Sequence, residues 1–228
     1  LYEITVIGAE PHPNYNRIML SPVLAGEKTI DDIILNSLDW YKENNIELIT
    51  GDVVMEINRV NKTVVTEAGK QIPYDRVLMA TGSTPFIIPV PGAEKEGVIG
   101  FRDIKDVDTM IDAAREYKKA VVIGGGLLGL EAANGLMKQG MEVTVVHLMD
   151  SLMERQLDKV ASKMLKIMLE QKGMNFMMEA QTAEIIGEKR VSGVKFADGS
   201  EVEADLVVMA VGIRPNMSLA EEAGIYCE

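Results

Sequence analysis

Three glycines in the middle of the chain have the spacing of a loop that binds phosphate groups. Gly124, Gly126 and Gly129 follow an apolar, strand-like stretch (120–123) and open a helical one (127–139). In this context the first glycine permits a tight turn, the second lets the backbone approach a pyrophosphate, and the third lets the helix pack closely on the strand. The start of such a helix also offers unpaired N–H groups to an anion. The three glycines therefore predict a dinucleotide site of the Rossmann type.

The residue that ends the next strand bears on which dinucleotide would bind. An acidic residue at this position bonds the ribose 2′-hydroxyl of NAD, whereas arginine accompanies the 2′-phosphate of NADP. The chain has His147 there, with no arginine directly after it. A neutral imidazole can bond a hydroxyl and a protonated one can meet a phosphate, and the alternative is an ordinary polar strand end. NAD and NADP both stay open, and the lack of arginine favours NAD.

Strand-like apolar runs alternate with helical patterns along most of the chain. This alternation predicts an α/β fold with parallel sheets, arranged as two three-layer, Rossmann-like units. The predicted ranges are 1–100 and 101–217, and 218–228 heads back towards the first unit. A buried strand is predicted over 76–80, before the prolines and glycine of a linker at 85–92.

The two predicted units repeat one plan. Residues 69–85 align without gaps on residues 199–215, with identities at Gly69/Gly199, Asp75/Asp205, Met79/Met209, Ala80/Ala210, Gly82/Gly212 and Pro85/Pro215. The strand at 143–146, which comes after the glycine loop of the second unit, corresponds to 4–7 in the first. We therefore expect the first strand, phosphate loop and helix of the first unit to lie outside this chain, before residue 1.

Composition narrows the class of protein. Apolar residues make up 47% and charged residues 25% of the 228 residues, and the formal net charge is −12. This acidic balance argues against nucleic-acid partners and against anchoring to anionic lipid. No apolar run approaches the roughly 18 residues of a membrane span, and no signal peptide is visible, which favours the cytoplasm. The single cysteine, Cys227, cannot form an internal disulfide or hold an iron–sulfur cluster, and no metal site is predicted.

The segment that follows the first strand carries a family resemblance. Residues 10–21, EPHPNYNRIMLS, resemble the FAD-binding region of flavoproteins with two dinucleotide domains, in the branch of rubredoxin, ferredoxin and nitrite reductases. Residues 80–85 and 210–215 resemble two further signatures of this pyridine nucleotide-disulphide oxidoreductase superfamily. Residues 125–133 and 152–158 are most similar to the large subunit of bacterial assimilatory NAD(P)H-nitrite reductases.

This resemblance implies a flavin-dependent oxidoreductase. NAD(P)H would reduce FAD, and FAD would pass electrons to an iron–sulfur and sirohaem centre that reduces nitrite to ammonia. That centre needs cysteines that this chain lacks, so the implied partners are downstream redox domains of the same polypeptide or a small subunit. A homodimer is also compatible with the resemblance. The alternatives are a nucleotide-binding module without turnover and an NAD(P)H reductase of rubredoxin or ferredoxin.

The resemblance also implies roles for individual residues. Those implied to bind FAD are Glu10, Arg17, Leu20, Ser21, Val53, Thr81 and Gly82, and Gly212 belongs to the third signature. Arg102 and Glu131 are implied to act where flavin meets nicotinamide. The alternatives are a partner of the helix dipole for Glu131, a surface arginine for Arg17 and a solvated loop acid for Glu10.

The chain also departs from its relatives at two points. Ferredoxin-reductase relatives often carry a lysine after the Leu–Ser pair, able to pair with a glutamate such as Glu131, and this chain has Pro22. The cysteine pair of disulfide reductases is missing as well, so a disulfide substrate is not expected.

Overall fold

The structure is a computed structural model that describes residues 2–227, and these residues divide into two compact units. Unit 1 comprises residues 2–16, 31–84 and 215–227, and unit 2 comprises 17–30 and 85–214. The predicted ranges, 1–100 and 101–217, differ from these units because the segments 17–30 and 85–100 pack within unit 2.

The elements run along the chain in an alternating order. The strands are β1 (Ile4–Gly8), β2 (Ile46–Thr50), β3 (Val54–Asn58), β4 (Thr63–Thr66), β5 (Gln71–Pro73), β6 (Ser83–Pro85), β7 (Val98–Ile99), β8 (Lys119–Ile123), β9 (Glu142–Val146), β10 (Asn175–Met177), β11 (Thr182–Ile186), β12 (Gly193–Phe196), β13 (Glu201–Glu203), β14 (Leu206–Met209) and β15 (Ile213–Pro215). The helices are α1 (Leu20–Leu24), α2 (Leu38–Glu43), α3 (Ile104–Glu116), α4 (Leu127–Lys138), α5 (Lys159–Gln171) and α6 (Ser218–Glu222). No helix among residues 2–227 is both long enough and apolar enough to cross a membrane.

A parallel sheet forms the centre of unit 2. Its strand order is β10-β9-β8-β14-β7, and every neighbouring pair is parallel. β14 is continuously apolar and β8 is apolar from Ala120 to Ile123, and the residues of β14 are at most 1% exposed. Such runs are typical of strands that are covered on both faces. The predicted α/β class with Rossmann-like units is confirmed.

A small antiparallel sheet, β11-β12-β13, completes unit 2. Its apolar residues Ile185, Val194 and Phe196 are buried and join the core that also contains Val207 of the parallel sheet. The sequence predicts a small antiparallel piece from residues 184–196 and 201–203, and the structure contains it.

The short helix α1 belongs to unit 2 because its apolar side packs on α4. Leu24 is fully buried, and a Cβ atom added at Gly135 of α4 would lie 2.6 Å from the Leu24 side chain. A glycine in mid-helix costs stability relative to alanine, so its place here is explained by this close packing.

Unit 1 contains two small sheets within the described residues. β1 and β2 pair in parallel, with Ile4 opposite Ile46, and β3, β4 and β5 form an antiparallel sheet. The strand predicted over 76–80 is wrong, because these residues form no strand and Leu78 is 93% exposed. In unit 2 the equivalent strand β14 receives its hydrogen bonds from β8, and the described part of unit 1 contains no counterpart of β8.

Candidate functional site

The glycine loop joins β8 to α4, and two of its glycines are required by the fold itself. Gly124 has φ +125°, and a Cβ atom there would lie 2.4 Å from the carbonyl oxygen of Ala210. A Cβ atom at Gly129 would lie 2.0 Å from the carbonyl oxygen of Gly124. The first glycine therefore permits the turn and the third permits the contact between helix and loop, as the sequence predicts.

Gly126 differs from these two glycines because no contact within the described residues requires a glycine at this position. Its φ is −81°, which any residue adopts, and among the described residues other than its chain neighbours no heavy atom lies within 4 Å of the position that a Cβ atom would take. Gly126 is also the N-cap of α4, and no side chain accepts a hydrogen bond from the first turn of that helix. The loop thus presents open space and helix N–H groups at one point, which suits a pyrophosphate.

Gly212 lies at the same edge of the parallel sheet. It follows β14, which is hydrogen-bonded to β8, so the carboxyl ends of both strands meet at this edge. Gly212 has φ +132° and open space beside it, and its carbonyl oxygen accepts a hydrogen bond of 2.9 Å from the N–H of Phe86. Ligands of open α/β sheets bind at this carboxyl edge.

His147 is directed into the protein rather than towards solvent. The residue is 9% exposed, and its Nδ1 accepts a hydrogen bond of 3.0 Å from the N–H of Gly125. The proton of the ring therefore lies on Nε2, 3.1 Å from Oε2 of Glu154, to which it donates. His147 thus links the glycine loop to the turn that precedes α5, and its predicted role as a direct ribose ligand stays a prediction.

Glu154 is a residue that the sequence pattern does not single out. The amphipathic pattern predicts a helix from Leu152, capped by Asp150 or Ser151, but α5 begins at Lys159 with Asp158 as its cap. Residues 150–157 instead form turns, because Leu152 packs fully buried against Gly125. In the sequence, the lack of an acidic residue at the end of the strand is the signal that an acid from another segment could take that position.

Four of the residues implied to act near the flavin form two contacts within unit 2. The guanidinium of Arg17 donates to the carbonyl oxygen of Arg102 at 2.7 Å. The hydroxyl of Ser21 donates to Oε2 of Glu131 at 2.7 Å. Glu131 therefore has a partner although Pro22 replaces the lysine of the relatives. The side chain of Arg17 is thus held by the backbone of Arg102.

Leu20 contributes to the core of unit 2, since it is only 2% exposed. Its implied contact with FAD stays a prediction, and the structure gives Leu20 a packing role as well.

Electrostatics beside Arg102 are governed by the capping box of α3. The N–H of Arg102 donates to Asp106 at 2.7 Å, and Asp106 and the N-cap residue Asp103 bond each other's backbone N–H groups. Burial, with the neighbouring negative charge of Asp103, raises the pKa of Asp106 above its ordinary value. Asp103 and Asp106 therefore fix the start of α3, and the bond from Asp106 also holds the backbone at Arg102.

In unit 1, Thr81 and Gly82 line a cleft of about 420 Å³ together with residues of the C-terminal segment. The Thr81 hydroxyl donates to the carbonyl oxygen of Asn216 at 2.7 Å, and the Asn216 amide donates to the carbonyl oxygen of Thr81 at 2.9 Å. The N–H of Asn216 donates to the carbonyl oxygen of Gly82 at 3.0 Å. These bonds hold the backbone at 81–82 in place, with open space beside Gly82.

Glu10 and Val53 also lie in unit 1. Glu10 follows β1, and its carboxylate accepts a 2.6 Å hydrogen bond from the Tyr15 hydroxyl. The carbonyl oxygen of Val53 accepts a 2.8 Å hydrogen bond from the N–H of Glu67. Their implied contacts with the adenosine part of FAD stay predictions.

The chain is similar to known oxidoreductases over its whole length. The family described as "Pyridine nucleotide-disulphide oxidoreductase" matches residues 1–228. "Nitrite reductase [NAD(P)H]" of Bacillus subtilis is 60% identical over 98% of the chain and 28% of that relative. "Assimilatory nitrate reductase electron transfer subunit" of the same organism is 49% identical over 99% of the chain and 29% of that relative.

Solved structures show the same likeness. A ferredoxin reductase from Rhodopseudomonas palustris superposes with a TM-score of 0.91 at 29% identity, over 99% of this chain and 56% of that one. The chain thus spans less than a third of the two Bacillus subtilis relatives and about half of the solved reductase.

Proposed function

Because this chain belongs to the pyridine nucleotide-disulphide oxidoreductase family, we propose that it is the nucleotide-binding module of a flavin-dependent NAD(P)H nitrite reductase. In this function NAD(P)H delivers a hydride to FAD, and the electrons pass on to centres outside the chain. The observation that carries the proposal is the open glycine loop of unit 2, in a chain 60% identical to a nitrite reductase.

Unit 2 fits a pyridine nucleotide at the glycine loop. The open space at Gly126 and the uncapped start of α4 accept the pyrophosphate, while Gly124 and Gly129 hold the loop in shape. Gly212, at the same sheet edge, leaves room on the adjacent strand. These residues bind and orient the nucleotide, and the dipole of the twelve-residue helix α4 favours its negative charge.

Unit 1 fits part of an FAD site. The cleft at Thr81 and Gly82 offers backbone without an obstructing side chain, and Glu10 follows β1 where a ribose is bonded in such units. FAD, when bound, would supply the redox chemistry that links the hydride of NAD(P)H to later electron acceptors. The protein contributes position and electrostatics to this chemistry, so no nucleophilic triad is needed.

The pairs in unit 2 suit a role in positioning. Ser21 holds the carboxylate of Glu131, which lies in the second turn of α4, and Arg17 is anchored on the carbonyl of Arg102. We assign Glu131 and Arg102 to the hydride-transfer step and Arg17 and Ser21 to flavin binding. Leu20, which lies between Arg17 and Ser21 in the sequence, is buried, and it fixes this segment to the core of unit 2.

The final acceptor follows from the relatives rather than from the site. The similarity to nitrite reductase favours nitrite, reduced to ammonia at iron–sulfur and sirohaem centres. A chain with one cysteine cannot bind such centres alone, so further domains of the same polypeptide or a small subunit would hold them. The second candidate is a ferredoxin or rubredoxin reductase, which the superposition on the Rhodopseudomonas palustris enzyme supports.

The experiment is an anaerobic reduction of the flavin. The purified chain is mixed with FAD, freed of excess cofactor, and titrated with NADH or NADPH while the flavin absorbance near ~450 nm is followed. The proposal expects bound flavin that loses this absorbance in the wild type and keeps it in Gly126→Val. A chain that binds nucleotide but retains no flavin would be a binding module without turnover. Bound flavin that neither nucleotide reduces would overturn the proposal.

A further inference from the structure

His147 follows β9, at the position where an acidic residue commonly binds the ribose, and its side chain is buried. Nδ1 of His147 is occupied by the N–H of Gly125 and Nε2 is occupied by Glu154. Its side chain is 10% exposed. Both ring nitrogens thus already have protein partners, and the imidazole has no free atom for a ligand hydroxyl.

The group that does face solvent at this point is the carboxylate of Glu154. The Glu154 side chain is 34% exposed, and its Oε2 bonds His147, which leaves Oε1 able to accept a hydrogen bond from a ligand. The carboxylate of Glu154 is hydrogen-bonded to the imidazole of His147, the residue that follows β9. An acid at that strand end binds the adenosine ribose in dinucleotide sites.

The turn that carries Glu154 is fixed to the glycine loop by three contacts. The N–H of Met153 donates to the carbonyl oxygen of Gly125 at 3.0 Å, Leu152 packs against Gly125, and His147 bridges from Gly125 to Glu154. Met153 itself has φ +51°, a conformation that non-glycine residues seldom adopt. The position of Glu154 relative to the loop is therefore built in by the fold.

We propose that Glu154 is the residue that selects NADH over NADPH in unit 2. Its carboxylate accepts a hydrogen bond from the 2′-hydroxyl of the adenosine ribose and repels a 2′-phosphate, and His147 is the residue that positions it. This inference rests on the proposed binding of a pyridine nucleotide at the glycine loop. It replaces His147 by Glu154 as the residue that contacts the ribose.

The other charges on the turn bear on the same choice. Lys159, at the start of α5, is paired with Asp150 at 2.7 Å, so its positive charge is compensated. Arg155 follows Glu154 and is exposed. Arg155 is thus the one nearby cation of the turn, within the described residues, that could favour a 2′-phosphate, and its effect must be separated from that of Glu154.

The test measures the dissociation constants of NADH and NADPH by calorimetry for the full chain. The variants are Glu154→Gln, which keeps the size and removes the charge, and Glu188→Gln, which removes an exposed charge in the turn between β11 and β12. The wild type is expected to bind NADH more tightly, and Glu154→Gln to lower that preference by about tenfold or more, since like charges in a site are strongly unfavourable. Glu188→Gln should leave the preference unchanged.

Two further measurements separate charge from shape. The preference of the wild type for NADH should fall as the salt concentration rises from about 0.05 to 0.5 M, because salt screens the repulsion between the carboxylate and a 2′-phosphate. The preference of Glu154→Gln should not change with salt. His147→Gln should lower the preference as well, and the double variant with Glu154→Gln should lower it no further than Glu154→Gln alone, because both act through one carboxylate.

The outcomes distinguish this inference from the proposed function. Suppose that Gly126→Val abolishes binding of both nucleotides while Glu154→Gln leaves the ratio of their dissociation constants unchanged. The proposed nucleotide site is then supported, and the inference that Glu154 selects NADH is overturned. A wild type that prefers NADPH, and loses this preference in Arg155→Gln, would also overturn the inference. If neither nucleotide binds the wild type, the proposed function fails and the inference fails with it.

Discussion

Two single substitutions, Gly129→Ala and Gly126→Ala, test whether the fold requires Gly129 while only a ligand requires Gly126. A Cβ atom at Gly129 would approach the carbonyl oxygen of Gly124 to 2.0 Å, whereas real Cβ contacts are essentially never below 3.0 Å. The start of α4 would have to move by about 1 Å away from the loop. Overpacking of this kind costs about 1–3 kcal/mol, so we expect the melting temperature of Gly129→Ala to fall by roughly 5 °C for a chain of this size.

Gly126→Ala is the matched control, because it adds the same methyl group three residues earlier. Within residues 2–227, no heavy atom beyond its chain neighbours lies within 4 Å of its Cβ position, and its φ is −81°. The cost should stay within about 1 kcal/mol, the scale of a change of N-cap residue. Thermal and urea unfolding followed by circular dichroism would measure both variants. A Gly129→Ala protein as stable as the wild type, or a larger loss in Gly126→Ala than in Gly129→Ala, would refute this reasoning.

Three other predictions follow from contacts of unit 2. His147→Ala should cost about 1–3 kcal/mol in urea unfolding, because the N–H of Gly125 loses its buried acceptor, and an unchanged midpoint would contradict this. Ser21→Ala should cost about 1 kcal/mol through the lost bond to Glu131, measured in the same way against Ser192→Ala as control. The raised pKa of Asp106 means that its ionisation opposes folding, so Asp106→Asn should gain stability over the wild type as pH rises above about 4, with no difference at lower pH, in unfolding curves across pH. A difference that grows as pH falls would have the wrong sign.

Much of unit 2 could be predicted from sequence because its signals are local. The glycine spacing between an apolar strand and a helix specifies the loop, and continuous apolar runs specify buried parallel strands. The capping box at Asp103 and Asp106 is equally local, because it joins two residues that are three apart in the sequence.

The predicted strand at 76–80 shows where local signals fail. Its residues match β14 in composition, but a parallel strand needs a neighbour that supplies hydrogen bonds. β14 has β8 beside it, and residues 76–80 have no such neighbour among residues 2–227. Strand propensity alone therefore could not decide whether a strand forms.

The arrangement around His147 could not be predicted for a different reason. The amphipathic pattern of residues 157–169 favours a helix that extends back to Leu152, whereas Leu152 packs on Gly125 in a turn. The contact of His147 with Glu154 depends on that turn, and a hydrogen bond between residues seven apart leaves no periodic trace. The direction of the imidazole is a tertiary property.

Binding of a pyridine nucleotide at the glycine loop of unit 2 is tested by a calorimetric titration of NADH into the wild type and into Gly126→Val. The open space at Gly126 lets the variant fold, so its urea midpoint serves as the control. We predict saturable binding to the wild type and at least about tenfold weaker binding to the variant, because the added side chain occupies the place of the pyrophosphate. Equal binding to both proteins, or no binding to a folded wild type, would contradict the account.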